Sequence, residues 1–172
     1  MIIEAILISI ILGLIRGGKL KRFKSINHKT MWIFILGILI QYILAFLFEM
    51  NEINSINKIL VYSKQLQIIS YILILIGVGS NLRLRSLWAI LLGYVLNFIV
   101  LATNNWEKPI LINNSIIENI KFPILGDTIG FFEPYPFPKT ISLGDLIIGF
   151  GIFALIQEIM LGEDSFMGGY RY

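Results

Sequence analysis

Asp127 and Asp145 are the two residues whose type and spacing best suit them to do chemistry. Each follows a glycine, and they lie eighteen positions apart. Pro134, Pro136 and Pro138 lie between, so the chain can fold back and bring the carboxyl groups together. Two close carboxyls do not both ionise cheaply, so they share a proton. One activates a water as base and the other protonates the leaving group or the oxyanion. That is aspartyl-peptidase chemistry, and it implies no metal and no organic cofactor. Asn97 is the expected support, orienting a substrate carbonyl or one aspartate. The same residues also have a structural explanation. Ser142-Leu143-Gly144-Asp145 is an S-x-x-D capping box opening an apolar run, where the helix dipole favours a carboxylate. Asp127 after Gly126 fits an ordinary turn. A Ser142–Lys139 nucleophile–base pair is weaker, because Lys139 would need strong desolvation.

Other catalytic classes lack their residues. There is no cysteine, which removes thiolate nucleophiles, disulfides and Cys metal sites. The single histidine, His28, lies in a basic loop, which argues against His-based triads and His-rich metal sites.

The elements that must position these residues are apolar. Of 172 residues, 56% are hydrophobic and 15% charged, against about 25% charged in an average soluble domain. Mean hydropathy is +0.80. The expected fold is all-α: one domain over 1–172, a polytopic integral membrane helix bundle. Five transmembrane helices are expected, at about 2–15, 31–48, 66–78, 87–103 and 143–161. Residues 104–141 hold all five prolines and form a proline- and aromatic-rich extracytoplasmic loop, ordered or forming a small extended cap. Within it Ser115 and Glu118 suggest a short helix at about 116–121. Phe131, Phe132, Tyr135 and Phe137 are placed to dip into the interface. Ile53, Ile56 and Leu60 suggest a second short helix, lying on the outer surface.

Charge placement sets the orientation. Six Lys or Arg residues fall within 16–29, and Arg83, Arg85 and Arg171 bring the inner total to nine of fourteen. The N-terminus is then outside and the C-terminus inside, in a plasma membrane. Lys58 and Lys64 sit on the wrong side of this rule. The basic run suits the cytoplasmic face and anionic lipid better than nucleic acid. Glu4 precedes the first apolar run and the cations follow it, the reverse of a signal peptide, so residues 1–15 read as a retained span. Gly17-Gly18 reads as a helix stop, although Gly13 and Gly17 also make a G-x-x-x-G packing step. Asn97 falls about 9 Å below the outer end of its span, where a polar residue faces the bundle as a helix link or part of a site. Glu158 is expected near the cytoplasmic end, in reach of water.

Two resemblances add to this. Nearly the whole chain resembles an uncharacterised family, a "domain of unknown function", of small multi-pass membrane proteins from Gram-positive bacteria. Gly17-Gly18-Lys19-Leu20, Gly93 to Asn97, Leu125-Gly126-Asp127 and Ser142-Leu143-Gly144-Asp145 carry it. That family often shows Asn-Gly-Gly-x-Met-Pro after the fourth span. Asn104 and Pro109 fit its ends, while Asn105, Trp106 and Lys108 replace Gly, Gly and Met. The last third is similar, more distantly, to lipoprotein signal peptidase, an intramembrane aspartyl protease. Asn97 resembles its Asn, Asp127 its first catalytic Asp, and Ile141 to Ile148 its second catalytic motif, led by Phe137-Pro138. The peptidase's Asp and Arg would fall at Val100 and Leu101, its upstream Asn-x-Gly-x-x-Phe step is missing, the interval from Asn97 to Asp127 is longer, and there is an extra span.

The specific expectation is an aspartyl peptidase-like protein acting at the outer face on a membrane-embedded peptide or lipid-linked substrate, with Asp127 and Asp145 as acid and base. The rival is a non-catalytic scaffold or accessory subunit with a protein partner, its polar residues being caps and helix links. A small transporter comes third, since it needs ionisable residues near the midplane. No nucleic-acid partner is expected.

Overall fold

The computed structural model describes residues 2–26, 29–49, 62–106, 108, 121–131 and 139–162. Among the described residues, five α-helices run in chain order: α1 (Ile2–Ile15), α2 (Lys29–Glu49), α3 (Ser63–Gly79), α4 (Ser86–Thr103) and α5 (Leu143–Leu161). They fall where the apolar runs place them. The expected helices near residues 53–60 and 116–121, and the aromatic residues Phe132, Tyr135 and Phe137, lie outside the described residues. Among the described residues, three stretches are long and apolar enough to cross a membrane: Thr30–Leu47, Ser86–Thr103 and Leu143–Leu161. Ile2–Ile15 and Ser63–Gly79 are shorter apolar helices.

The fold is not purely helical. Strands β1 (Asp127–Phe131) and β2 (Lys139–Ser142) form an antiparallel pair, with Asp127 opposite Ser142 and Ile129 opposite Ile141. The β-branched residues Thr128, Ile129, Thr140 and Ile141 suit extended backbone. Dense proline around them hid that signal behind the look of an irregular loop.

Tertiary contacts divide the chain into two compact units, 1–25 with 82–172 and 26–81. In the smaller unit α2 packs on α3 through glycines. A Cβ on Gly77 would meet the Phe34 backbone at 2.6 Å, and one on Gly37 would meet Ser70 O at 2.9 Å. Asn81 Nδ2 donates to Gly77 O at 2.6 Å and to Thr30 Oγ1 at 2.9 Å, closing the end of α3 against the start of α2.

In the larger unit α5 packs against both α1 and α4. Its residues Ala154 to Leu161 are buried all round, as in a helix enclosed by neighbours. Gly93 and Gly151 let α4 and α5 approach closely. A Cβ on Gly93 would meet Gly144 O at 2.7 Å, and one on Gly151 would meet Ile90 N at 2.9 Å. Close backbone approach through small residues replaces the hydrophobic drive that is missing between helices in lipid. Gly93→Ala is therefore expected to cost about 1–3 kcal/mol by overpacking, read as a lower thermal midpoint in detergent. An unchanged midpoint would show that the helices can part without loss. On the other flank Ser9 Oγ donates to Phe153 O at 2.9 Å, and Gln157 Nε2 donates to Ser9 O at 2.6 Å. Gly17 takes φ +79° and ends α1, while Gly13 packs on Met160. The G-x-x-x-G step thus divides into a packing glycine and a stop.

The outward surfaces are apolar. Ile3, Leu7, Ile11 and Ile15 of α1, and Leu36, Leu39, Ile43 and Phe46 of α2, are all exposed. Contiguous apolar faces of this kind suit a lipid environment.

Glu158 corrects an expectation. It does not reach water: it is 4% exposed. Its carboxylate accepts from the backbone N–H of Arg85 (3.2 Å), the N–H of Ser86 (3.1 Å) and the Ser86 hydroxyl (2.6 Å). The start of α4 has no side-chain cap of its own, and Glu158 supplies one from the neighbouring helix.

Candidate functional site

The site forms where α4 ends, α5 begins and β1 pairs with β2. The last turn of α4 is closed by Asn104, whose side chain donates to Val100 O and Lys121 O (both 2.8 Å) and accepts from the Lys121 N–H (2.9 Å). Asn105 and Trp106 then adopt left-handed backbone, φ 57° and 68°. Asn tolerates this conformation, whereas it is strained for Trp. Trp106 is held by its N–H to Leu101 O at 2.7 Å and by an edge-on ring contact with Phe98 at 5.6 Å. Lys108 lies two residues further on.

Lys108 is the residue that sequence reasoning missed. Its Nζ lies 2.6 Å from Asp145 Oδ2 and 2.9 Å from Asp127 Oδ1. The structure thus brings both aspartates onto one ammonium, so these two carboxylate oxygens lie within a single cation's span of each other. A lone lysine between Trp106 and Pro109 gave little signal. The one hint was that it stands where the resembled family step has methionine.

Asp145 is fully engaged. Asn97 Nδ2 donates to its Oδ1 at 2.7 Å, and the Ser142 N–H donates to Oδ2 at 3.2 Å. The Asp145 N–H donates to Ser142 Oγ at 3.0 Å, completing the expected capping box. Asn97 is 2% exposed, and its Oδ1 accepts the Ser142 hydroxyl at 2.9 Å. It links the two helices and supports the carboxylate at once. The Ser142 hydroxyl thus donates to Asn97 and accepts from the Asp145 amide.

Asp127 is held differently. It opens β1, opposite Ser142, and its Oδ1 is buried with no aligned hydrogen-bond donor, although Lys108 stands beside it. Burial pushes its carboxyl above the ordinary range, Lys108 offsets part of this, and the Asp145 charge adds to the rise. The folded state therefore holds this proton more tightly than the unfolded chain. Ionisation of Asp127 costs stability, and the cost is relieved as pH falls through the raised folded value towards the ordinary 3.8. In that mildly acidic window the thermal midpoint of the native chain is expected to rise relative to Asp127→Asn. Parallel pH profiles for the two would refute this.

A family model, for a family of unknown function (DUF5317), matches residues 25–115 and 110–157. The chain belongs to this family. Asn97, Lys108, Asp127, Ser142 and Asp145 all fall inside the matched DUF5317 segments. No curated protein and no solved structure matches the chain. The left-handed pair Asn105 and Trp106 stands where the resembled step carries Gly-Gly, residues that adopt such backbone without strain.

Proposed function

We propose that this DUF5317 protein is a five-span integral membrane protein of a bacterial plasma membrane, N-terminus outside and C-terminus inside. In it the Lys108 cluster is a structural latch and the chain works as a non-catalytic scaffold or accessory subunit. The orientation rests on the cations between α1 and α2 and those between α3 and α4, and the bacterial membrane on the sequence resemblance. One observation carries the scaffold reading: the Lys108 ammonium sits between Asp127 and Asp145. A peptidase dyad needs one proton shared between its carboxyls and a water to activate. Here a cation meets both, and Asp145 has donors on both oxygens. The latch fastens the chain after α4, and the strand that opens at Asp127, to the head of α5, presenting the paired strands β1 and β2 as a docking face for a protein partner.

A second reading has its own support. Asp127 carries a raised proton affinity beside an engaged carboxylate, and unequal carboxyls are how acid and base roles are divided. On that reading Asp127 is the acid and Asp145 the base of a peptidase acting on a membrane-embedded peptide or lipid-linked substrate.

One comparison separates the two. Asp127→Asn, Asp145→Asn and Lys108→Met are expressed in cells lacking the native copy, and both protein level and rescue of the deletion phenotype are measured. The scaffold reading expects Asp127→Asn to rescue, while the other two fail through lost protein. If Asp127→Asn is stable and inserted yet fails to rescue, the scaffold reading falls and the peptidase reading stands.

A further inference from the structure

The end of the larger unit opposite the aspartates carries a second assembly. After Gly17, the Gly18 N–H donates to Gly13 O at 2.8 Å and the Lys19 N–H to Met160 O at 2.9 Å. Arg22 Nη1 donates to the same Met160 carbonyl at 2.9 Å. The 3-10 helix Leu20–Ile26 is thereby fastened to the last turn of α5. Glu158 brings the start of α4 to the same end. Lys19, Lys21 and Lys24 from one segment and Arg83 from another are exposed there. Among the described residues the only carboxylate at this end is Glu158, which is buried under its own donors. Leu20, Phe23 and Trp88 are exposed among the cations, Trp88 at 59%.

We propose that this end is a docking surface for anionic phospholipid headgroups. Cations interleaved with exposed Leu, Phe and Trp suit a headgroup boundary, where phosphates meet the charges and acyl chains meet the apolar side chains. Lysine stems bury along the apolar side chains while their heads reach phosphate. A nucleic acid would match the charges and leave the apolar side chains in water.

The inference rests on the membrane-spanning reading, and its test separates the two. The full chain, with Trp32→Phe and Trp106→Phe so that Trp88 alone reports, is placed in phosphatidylcholine nanodiscs. These contain an equal fraction of brominated phosphatidylcholine or brominated phosphatidylglycerol. Stronger quenching by the anionic lipid is expected, with a preference of about fivefold per cation engaged. The preference should vanish in about 1 M salt and in the Lys19→Gln, Lys21→Gln, Lys24→Gln, Arg83→Gln variant. Equal quenching by the two lipids overturns the proposal and leaves the membrane reading standing. No quenching by either overturns both. A preference that survives the four substitutions, or that a duplex oligonucleotide abolishes at physiological salt, also overturns it.

Discussion

Lys108→Met is expected to lower stability by about 2–4 kcal/mol and to free strand β1 for proteolysis. Removing one partner of a buried ion pair costs about 3–5 kcal/mol, because it strands an unpaired charge. The side chains here keep 21%, 17% and 30% exposure, so a slightly smaller loss applies. Two carboxylates would then face each other with no cation between them. The informative measurement is the double variant Lys108→Met, Asp127→Asn, followed by thermal midpoint and limited proteolysis. It should recover much of the loss, since Asp145 keeps Asn97 and the Ser142 amide. Asp127→Asn alone should be nearly neutral, since Lys108 keeps Asp145. A double variant no better than Lys108→Met would mean that the cluster is not held by this charge balance.

The second large effect is expected at Glu158. Glu158→Ala leaves the Arg85 and Ser86 amides and the Ser86 hydroxyl without their acceptor in the interior. Hydrogen bonds to charged groups contribute about 1.5–3 kcal/mol each. A loss of about 3–5 kcal/mol follows once solvent and neighbouring groups recover part of it. Glu158→Gln keeps an acceptor oxygen and should fall between. Hydrogen exchange at Ser86, measured by mass spectrometry, should accelerate in the order native, Gln, Ala. Equal protection in all three would show that the first turn of α4 needs no borrowed cap.

The helices were legible in the sequence because each is dominated by apolar residues with only scattered polar ones, and a helix satisfies its own backbone wherever water is scarce. The capping box at Ser142 and Asp145 was legible for a related reason: both halves lie within four residues. What escaped depends on partners far apart in the chain. Glu158 looked like a helix-end acid near water, because nothing local reveals that the start of α4, seventy-two residues upstream, lacks a cap. Lys108 looked like a loop cation, because its two partners lie on another strand and another helix. The link between Asp127 and Asp145 was inferred from spacing, the intervening prolines and a distant resemblance, and what sits between them was not inferable. The strands were missed because four or five residues of β-branched character weigh little beside five prolines.

The two carboxylates of α5, Asp145 partly exposed and Glu158 buried, also mark out a length. Asp145 and Glu158 are thirteen residues apart, about 20 Å along a helix at 1.5 Å per residue. Helix α1, with 14 residues, covers a similar span of about 21 Å. A typical hydrocarbon core is about 30 Å thick. On the proposed membrane-spanning reading, a bilayer that met both polar ends would have to thin around this unit, at a cost of fractions of a kcal/mol per Å. The protein should accordingly gain thermal stability as phosphatidylcholine acyl chains are shortened, and long-chain lipid should weaken the grip of both carboxylates together. A stability that ignores chain length would place the polar ends of α5 inside protein-lined or watery recesses instead. If the chain-length dependence is found, the protein is a local thinner of its membrane, and belongs where bilayers are thin or already under strain.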